Sequence, residues 1–220
     1  MVVKLSDRVD VEWFKQVSPI SEAADDEIPV SGIGTVAAAR VTPRHGAPFI
    51  VVSMYARWIK PHPSTGSKWR VGYADGSAHR IISDLSSFIG DVDPSTHRIL
   101  AAGDLNTIYD ARDDYDKTWS TGRDHTIWDR MKALGLEFLG PRHPNGRQAH
   151  PTPDFMKPDT ENVVSYYTAG NSAATATRQL DYAFASRGFH ESVKVRALNN
   201  SVEEWGASDH CRLLIEVGSG

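Results

Sequence analysis

Arg98-Ile99-Leu100-Ala101-Ala102-Gly103-Asp104-Leu105-Asn106 runs four apolar residues, Ile99 to Ala102, into a glycine and then into Asp-Leu-Asn. That pattern is a short buried strand ending in a loop. Side chains alternate along an extended chain, so Asp104 and Asn106 project to one side. A carboxylate and a carboxamide placed together can grip a metal-bound water or a phosphate oxygen. A strand that simply stops at an Asx turn has the same pattern, so the motif alone leaves both open.

The residues upstream give this strand its neighbours. Ala78 to Ile89 carries Ile81, Ile82, Leu85, Phe88 and Ile89 at helical spacing. Before it, Phe49 to Tyr55 is a continuous apolar and β-branched run, the signature of a buried central strand. The order is therefore strand, helix, strand. Phe49–Tyr55 leads into Ala56-Arg57-Trp58, where Tyr55 and Arg57 offer a phenol and a guanidinium to a phosphate, or pack at a sheet edge. Lys60 to Gly76 reads as a long loop, with Lys68, Trp69, Arg70 and Tyr73 able to meet a base or sugar or to form a local mini-core. Val2 to Val11 reads as a strand or two, and Ser18 to Pro29 as an acidic loop. Val30 to Ala37 contains Gly32-Ile33-Gly34, but no long helix follows before the turn at Thr42 to Gly46. A glycine-kinked strand and hairpin fits better than a dinucleotide fingerprint.

Downstream, Asp110 to Asp116 is a solvated acidic loop whose spacing announces no oxygen-ligand cage. Thr126 to Leu134 reads as a helix capped by Gly135, Leu136 to Leu139 as a short strand, and Pro141 to Lys157 as a long surface loop. His143 and His150 lack partners at metal-ligand spacing, so zinc is not expected there.

Composition narrows the class. The chain has 220 residues, 40% hydrophobic and 24% charged, enough for one domain, taken as residues 1–220, with a sizeable core. No run approaches a membrane span, and Met1 to Asp10 does not resemble a signal peptide, which points to the cytoplasm. One Cys excludes an internal disulfide. A net charge of -4 gives no global basic field for nucleic acid, leaving only a local patch. No obligate protein partner is evident.

Two more motifs narrow the chemistry. Arg178 to Ser186 is a strand carrying one acid, Asp181, between apolar neighbours, and such an acid needs a partner. Trp205-Gly206-Ala207-Ser208-Asp209-His210-Cys211 precedes the last apolar strand, Arg212 to Val217. Asp104, Asp181 and Asp209 thus lie in or beside core strands. This set suits metal-assisted hydrolysis of a phosphoester: one acid for a divalent ion, one for the water, and one to fix a histidine facing the phosphate. Ser208-Asp209-His210 is a poor serine-hydrolase triad, because adjacent residues cannot all converge on one point.

Gly103-Asp104-Leu105-Asn106, Leu180-Asp181-Tyr182-x-Phe184-x-Ser186 and Ser208-Asp209-His210-Cys211, in this order, resemble the signatures of the endonuclease/exonuclease/phosphatase superfamily. The resemblance spans Gly32 to the C-terminus. It implies an α/β chain of α+β type, a DNase I-like two-sheet sandwich flanked by helices. It implies that Asp104 orients or deprotonates water, Asn106 binds the scissile phosphate, and Asp209 joins Asp104 at a Mg²⁺ or Mn²⁺ site. It further implies that His210 contacts a phosphate oxygen with Asp181 fixing its ring, and that Tyr55 donates to the phosphate. Arg57 and Trp205 are expected to touch substrate.

The departures from the family are equally specific. Its first strand with an Asn, and the Gln-Glu whose Glu is a principal metal ligand, have no counterpart, and Glu12 lacks the context to replace that Glu. The expectation is therefore a chain missing the N-terminal strands, with weak or no activity. Three functions follow: a nuclease-type phosphodiesterase; a phosphatase or phosphodiesterase for a small phosphorylated molecule or lipid head group; and a non-catalytic scaffold keeping the fold.

Overall fold

The computed structural model describes residues 1–17, 23–31, 35–57, 74–90, 93–112 and 121–218. Its main sheet has six strands: β1 (Val9–Trp13), β4 (Val36–Pro43), β5 (Phe49–Tyr55), β6 (Ile99–Asp104), β8 (Asp181–Ser186) and β7 (Leu136–Gly140), hydrogen-bonded in that spatial order. β5 and β6 run parallel and every other pair is antiparallel. A parallel pair needs a long crossover, which here carries α1 (Ala74–Ile89). Two smaller sheets complete the strands: β2 (Lys15–Val17) beside β3 (Glu27–Pro29), and the hairpin β9 (Val193–Leu198) with β10 (Arg212–Val217).

Strict alternation sends the strands' residues to two cores. Val52, Met54, Ala101, Tyr182 and Phe184 meet Ile81, Ile82 and Leu85 of α1 and Ile127 and Met131 of α2 (Thr121–Ala133). Full burial of each large aliphatic side chain there contributes roughly 1.5–3 kcal/mol. On the opposite face, Leu100, Ala183 and Ala185 pack against Phe189, Val193 and Val195, with Val51, Ile215 and Val217 at the margin. The β9–β10 hairpin thereby forms the second layer of a sandwich, with helices on the outer face of the first.

Tyr182 links these layers to the loops at the sheet's end. It is fully buried, and its hydroxyl accepts from Tyr109 N at 2.9 Å. The same oxygen lies 2.9 Å from Thr107 O and 2.8 Å from Gln179 O, the acceptors for its proton. The loop after β6 and the entry to β8 are held together through one phenol.

Several elements differ from the sequence expectations. The first strand begins at Val9 and reaches Trp13, because pairing with β4 starts only at Pro43. α1 starts at Ala74, inside the stretch read as loop, and α2 at Thr121. The loop 141–157 is anchored, with Met156 buried and bridged to Ala111. β9 went unread, although Val193, Val195 and Ala197 alternate with Lys194 and Arg196 as a half-buried strand should. Gly32 to Gly34, the basic aromatic residues Lys68 to Arg70 with Tyr73, and Asp113 to Asp116 lie outside the described residues.

Candidate active site

Three strand ends place the central groups. Tyr55 on β5 pairs in register with Asp104 on β6, and Asp104 pairs with Asp181 on β8. Register partners project to the same face, so a phenol and two carboxylates stand side by side, one strand spacing of roughly 4.8 Å apart. The route from β5 to β6 depends on Gly103, whose φ is +153°. A Cβ there would sit 1.9 Å from Met54 O, so only glycine lets β6 approach β5 this closely.

Asp104 is held by its own loop. Asn106 N donates to Asp104 Oδ1 at 2.8 Å, closing an Asx turn. Asn106 has φ +49°, a left-handed conformation that Asn tolerates, and this turns its side chain back toward the strand. Its Nδ2 donates to Asp104 Oδ2 and to Ala56 O, both at 2.8 Å. Here the carboxamide orients Asp104, and both its hydrogens are committed. The Asx turn left open at this motif is present, and within it the two side chains also bond to each other.

Asp181 is fixed from the other side. Its Oδ2 accepts from Ser165 Oγ at 2.7 Å and pairs with His210 Nδ1 at 2.8 Å. Ser165 is fully buried, and its Oγ also accepts from Leu180 N at 3.0 Å and Asp181 N at 3.1 Å. With Nδ1 donating to a carboxylate, His210 turns Nε2 toward Asp104 Oδ2, 3.9 Å away. The Tyr166 ring lies 4.8 Å from the His210 ring, and Tyr166 is bridged to His210 through the backbone. Sequence reading passed over Ser165 and Tyr166. The run Val163-Val164-Ser165-Tyr166-Tyr167 carries the signal of a buried extended segment, but nothing in it marks the serine as a carboxylate partner.

The charges respond to this packing. Burial, then the Asp181 charge, pushes the Asp104 carboxyl up to about 7, against the hydrogen bonds from Asn106. For His210, burial opposes the charged form, yet the hydrogen bond and charge of Asp181, with Asp104 and Asp209, raise it above the usual imidazole value. Asp104, Asp181 and His210 each offer one ligand atom, and these atoms lie within 4.8 Å of one another. Two adjacent carboxylates that repel each other, beside an imidazole, fit a divalent cation.

The remaining expected residues are less central. Asp209 is exposed, with Oδ1 3.3 Å from Ser208 Oγ, and lies outside that trio. Arg57 follows Ala56 at the same sheet end; its backbone N donates to Ser77 Oγ at 2.9 Å and its side chain is exposed. Trp205, expected at the surface beside substrate, is instead buried against Val163, Val164 and Ala197, and its indole donates to Ser208 O at 3.0 Å. Its place is under the loop that presents His210.

No protein-family model matches the chain, and no curated protein does. Solved structures do. AP endonuclease LMAP from Leishmania major aligns with a TM-score of 0.52 at 18% identity, covering 96% of this chain and 62% of that one. The endonuclease domain of TRAS1, a telomere-specific non-LTR retrotransposon, gives 0.49 at 14% identity, covering 96% and 81%. The 3′ phosphatase NExo from Neisseria, bound to product DNA hairpin, gives 0.46 at 16%, covering 82% and 64%. The chain thus spans less than two thirds of the length of the Leishmania and Neisseria chains.

Proposed function

From a chain with the fold of the endonuclease/exonuclease/phosphatase superfamily, we propose a divalent-metal-dependent hydrolase of phosphodiester bonds, with residues 1–220 acting as one domain. The observation that carries this reading is the in-register row Tyr55, Asp104 and Asp181, with His210 bonded to its last member.

Asp104 and Asp181 would hold the ion, Mg²⁺ or Mn²⁺, with exposed Asp209 adding a carboxylate at the rim and His210 left to face the phosphate. When bound, such an ion polarises a phosphoryl oxygen and makes a bound water more acidic. Asp104, aimed by Asn106 through both carboxylate oxygens, would orient the attacking water and take its proton. Asn106 keeps its carboxylate aimed and reaches the scissile phosphate on releasing one hydrogen bond. Asp181 holds His210 in the tautomer that presents Nε2 to a phosphate oxygen. Tyr55 and Arg57 donate to the phosphate from the β5 end. Among the described residues the clustered ligand set stops at three atoms, few for an ion that prefers six oxygens, so turnover is expected to be slow.

The test is hydrolysis of supercoiled plasmid and of bis-p-nitrophenyl phosphate with Mg²⁺, Mn²⁺ or EDTA, alongside Asp104→Ala. Activity that needs metal and disappears in the variant supports the reading, and the preferred substrate separates nuclease from small-ester hydrolase. Silence on both substrates, with the chain folded, overturns it in favour of a scaffold.

A further inference from the structure

We propose that the cavity beside His210 is a subsite for a second phosphate of the substrate, with Arg178 as its cation. This rests on the phosphodiesterase reading and extends it to the class of substrate: a strand bearing neighbouring phosphates rather than an isolated ester.

The cavity, of about 90 Å³, is walled by Tyr166 and Tyr167 and rimmed by Thr168, Asn171, Thr177 and Arg178. Among the described residues its lining has hydroxyls, an amide and a guanidinium but no carboxylate, a donor-rich surface suited to an anion. Arg178 is exposed, and among the described residues its guanidinium has no ion-pair partner. Its structural duty is discharged by its backbone, whose carbonyl accepts from Ser165 N at 2.8 Å and Tyr166 N at 3.0 Å. The side chain is left for something else.

Position ties this cavity to the row of acids. Tyr166 is bridged to Arg178 on one side and to His210 on the other. Bridge partners project to one face about 5 Å apart, so Arg178, Tyr166 and His210 form a second row. Arg178 then stands about 10 Å from His210 at the backbone, close enough for its long side chain to hold the phosphate next to the one at His210. Between them the Tyr166 ring, tilted by 45° against the His210 ring, presents a surface to the intervening sugar or base. A phosphate binds a planar guanidinium through paired hydrogen bonds, which a lysine cannot copy in geometry but can copy in charge.

The test measures binding separately from catalysis. A fluorescein-labelled single-stranded deoxynucleotide decamer is titrated by fluorescence anisotropy in EDTA, at about 50 to 200 mM salt, against wild type, Arg178→Gln and Arg178→Lys. Loss of one phosphate contact lowers the slope of log affinity against log salt by about 0.7, and Arg178→Lys restores most of it. Hydrolysis of the decamer by Arg178→Gln is expected to fall about tenfold in kcat/KM, with bis-p-nitrophenyl phosphate changed less than about twofold. A slope that Arg178→Gln leaves unchanged overturns the subsite, as does failure of the wild-type chain to bind the decamer. If neither substrate is cut but the slope still drops, the catalytic reading fails and the subsite stands.

Discussion

Asp104 and Asp181 face each other directly across the β6–β8 ladder, two acids in one register pair. Like charges so placed are destabilising, and here both side chains are also mostly withdrawn from water. The arrangement that suits a cation therefore weighs against the fold that carries it.

Its removal should show as pH-dependent stability. In the folded chain Asp104 keeps its proton up to about 7, whereas an unfolded aspartate releases it near 3.8. Between those values the folded state binds more protons than the unfolded one, so stability falls as pH rises through the window. His210, raised above its unfolded value, adds stability at low pH that is likewise lost as pH rises through its folded value. Asp104→Asn cannot ionise. In EDTA at pH 8 it should be more stable than wild type by on the order of 2 kcal/mol, or about 4–8 °C in Tm. The gap should close near pH 4. Thermal melts across pH settle it, and a wild type that melts at or above the variant at pH 8 contradicts the argument.

Ser165 tests the support behind His210. Ser165→Ala removes the hydroxyl donated to Asp181 and strands two buried N–H groups, those of Leu180 and Asp181. A stability loss of about 1–3 kcal/mol is expected. With the Asp181 carboxylate less firmly held, kcat should drop at least about tenfold while KM moves little. Unchanged kcat in a folded variant would show that Asp181 needs no such brace.

Gly103→Ala probes the approach of β5 to β6. The added methyl meets a backbone oxygen that no rotamer change can move, so the strands must part. The expected loss exceeds about 3 kcal/mol and is read from the urea midpoint. A midpoint within error of wild type would mean that the backbone relaxes around the methyl.

What the sequence revealed follows from the kind of signal each feature leaves. β5, α1 and β6 show as runs and periodicities, because burial on one or two faces selects apolar residues position by position. Asp181 stood out because an acid inside an apolar strand demands a partner, and Asp104 because it ends an apolar run two residues before Asn106. Their shared register did not, since pairing between distant strands leaves no local trace. Trp205 misled for a related reason. A tryptophan beside Ser-Asp-His looks like a surface contact, yet its large apolar area is what fills the space beneath that loop. Ser165 is an ordinary residue whose place comes from its hydroxyl bonds at Asp181, and Arg178 one whose place comes from the backbone bridge at Tyr166.

The dipeptide Asp181-Tyr182 also guards against mispairing. Successive residues of β8 face opposite layers, the acid toward the pocket and the phenol toward the helices. A slip of one position would drive a carboxylate into the apolar core and leave the phenol's backbone partners unbonded. Out-of-step sheets thus carry a penalty at the acid proposed to orient His210 and at the phenol that ties the loops together. Correct alignment of the central strands is proofread by the site itself.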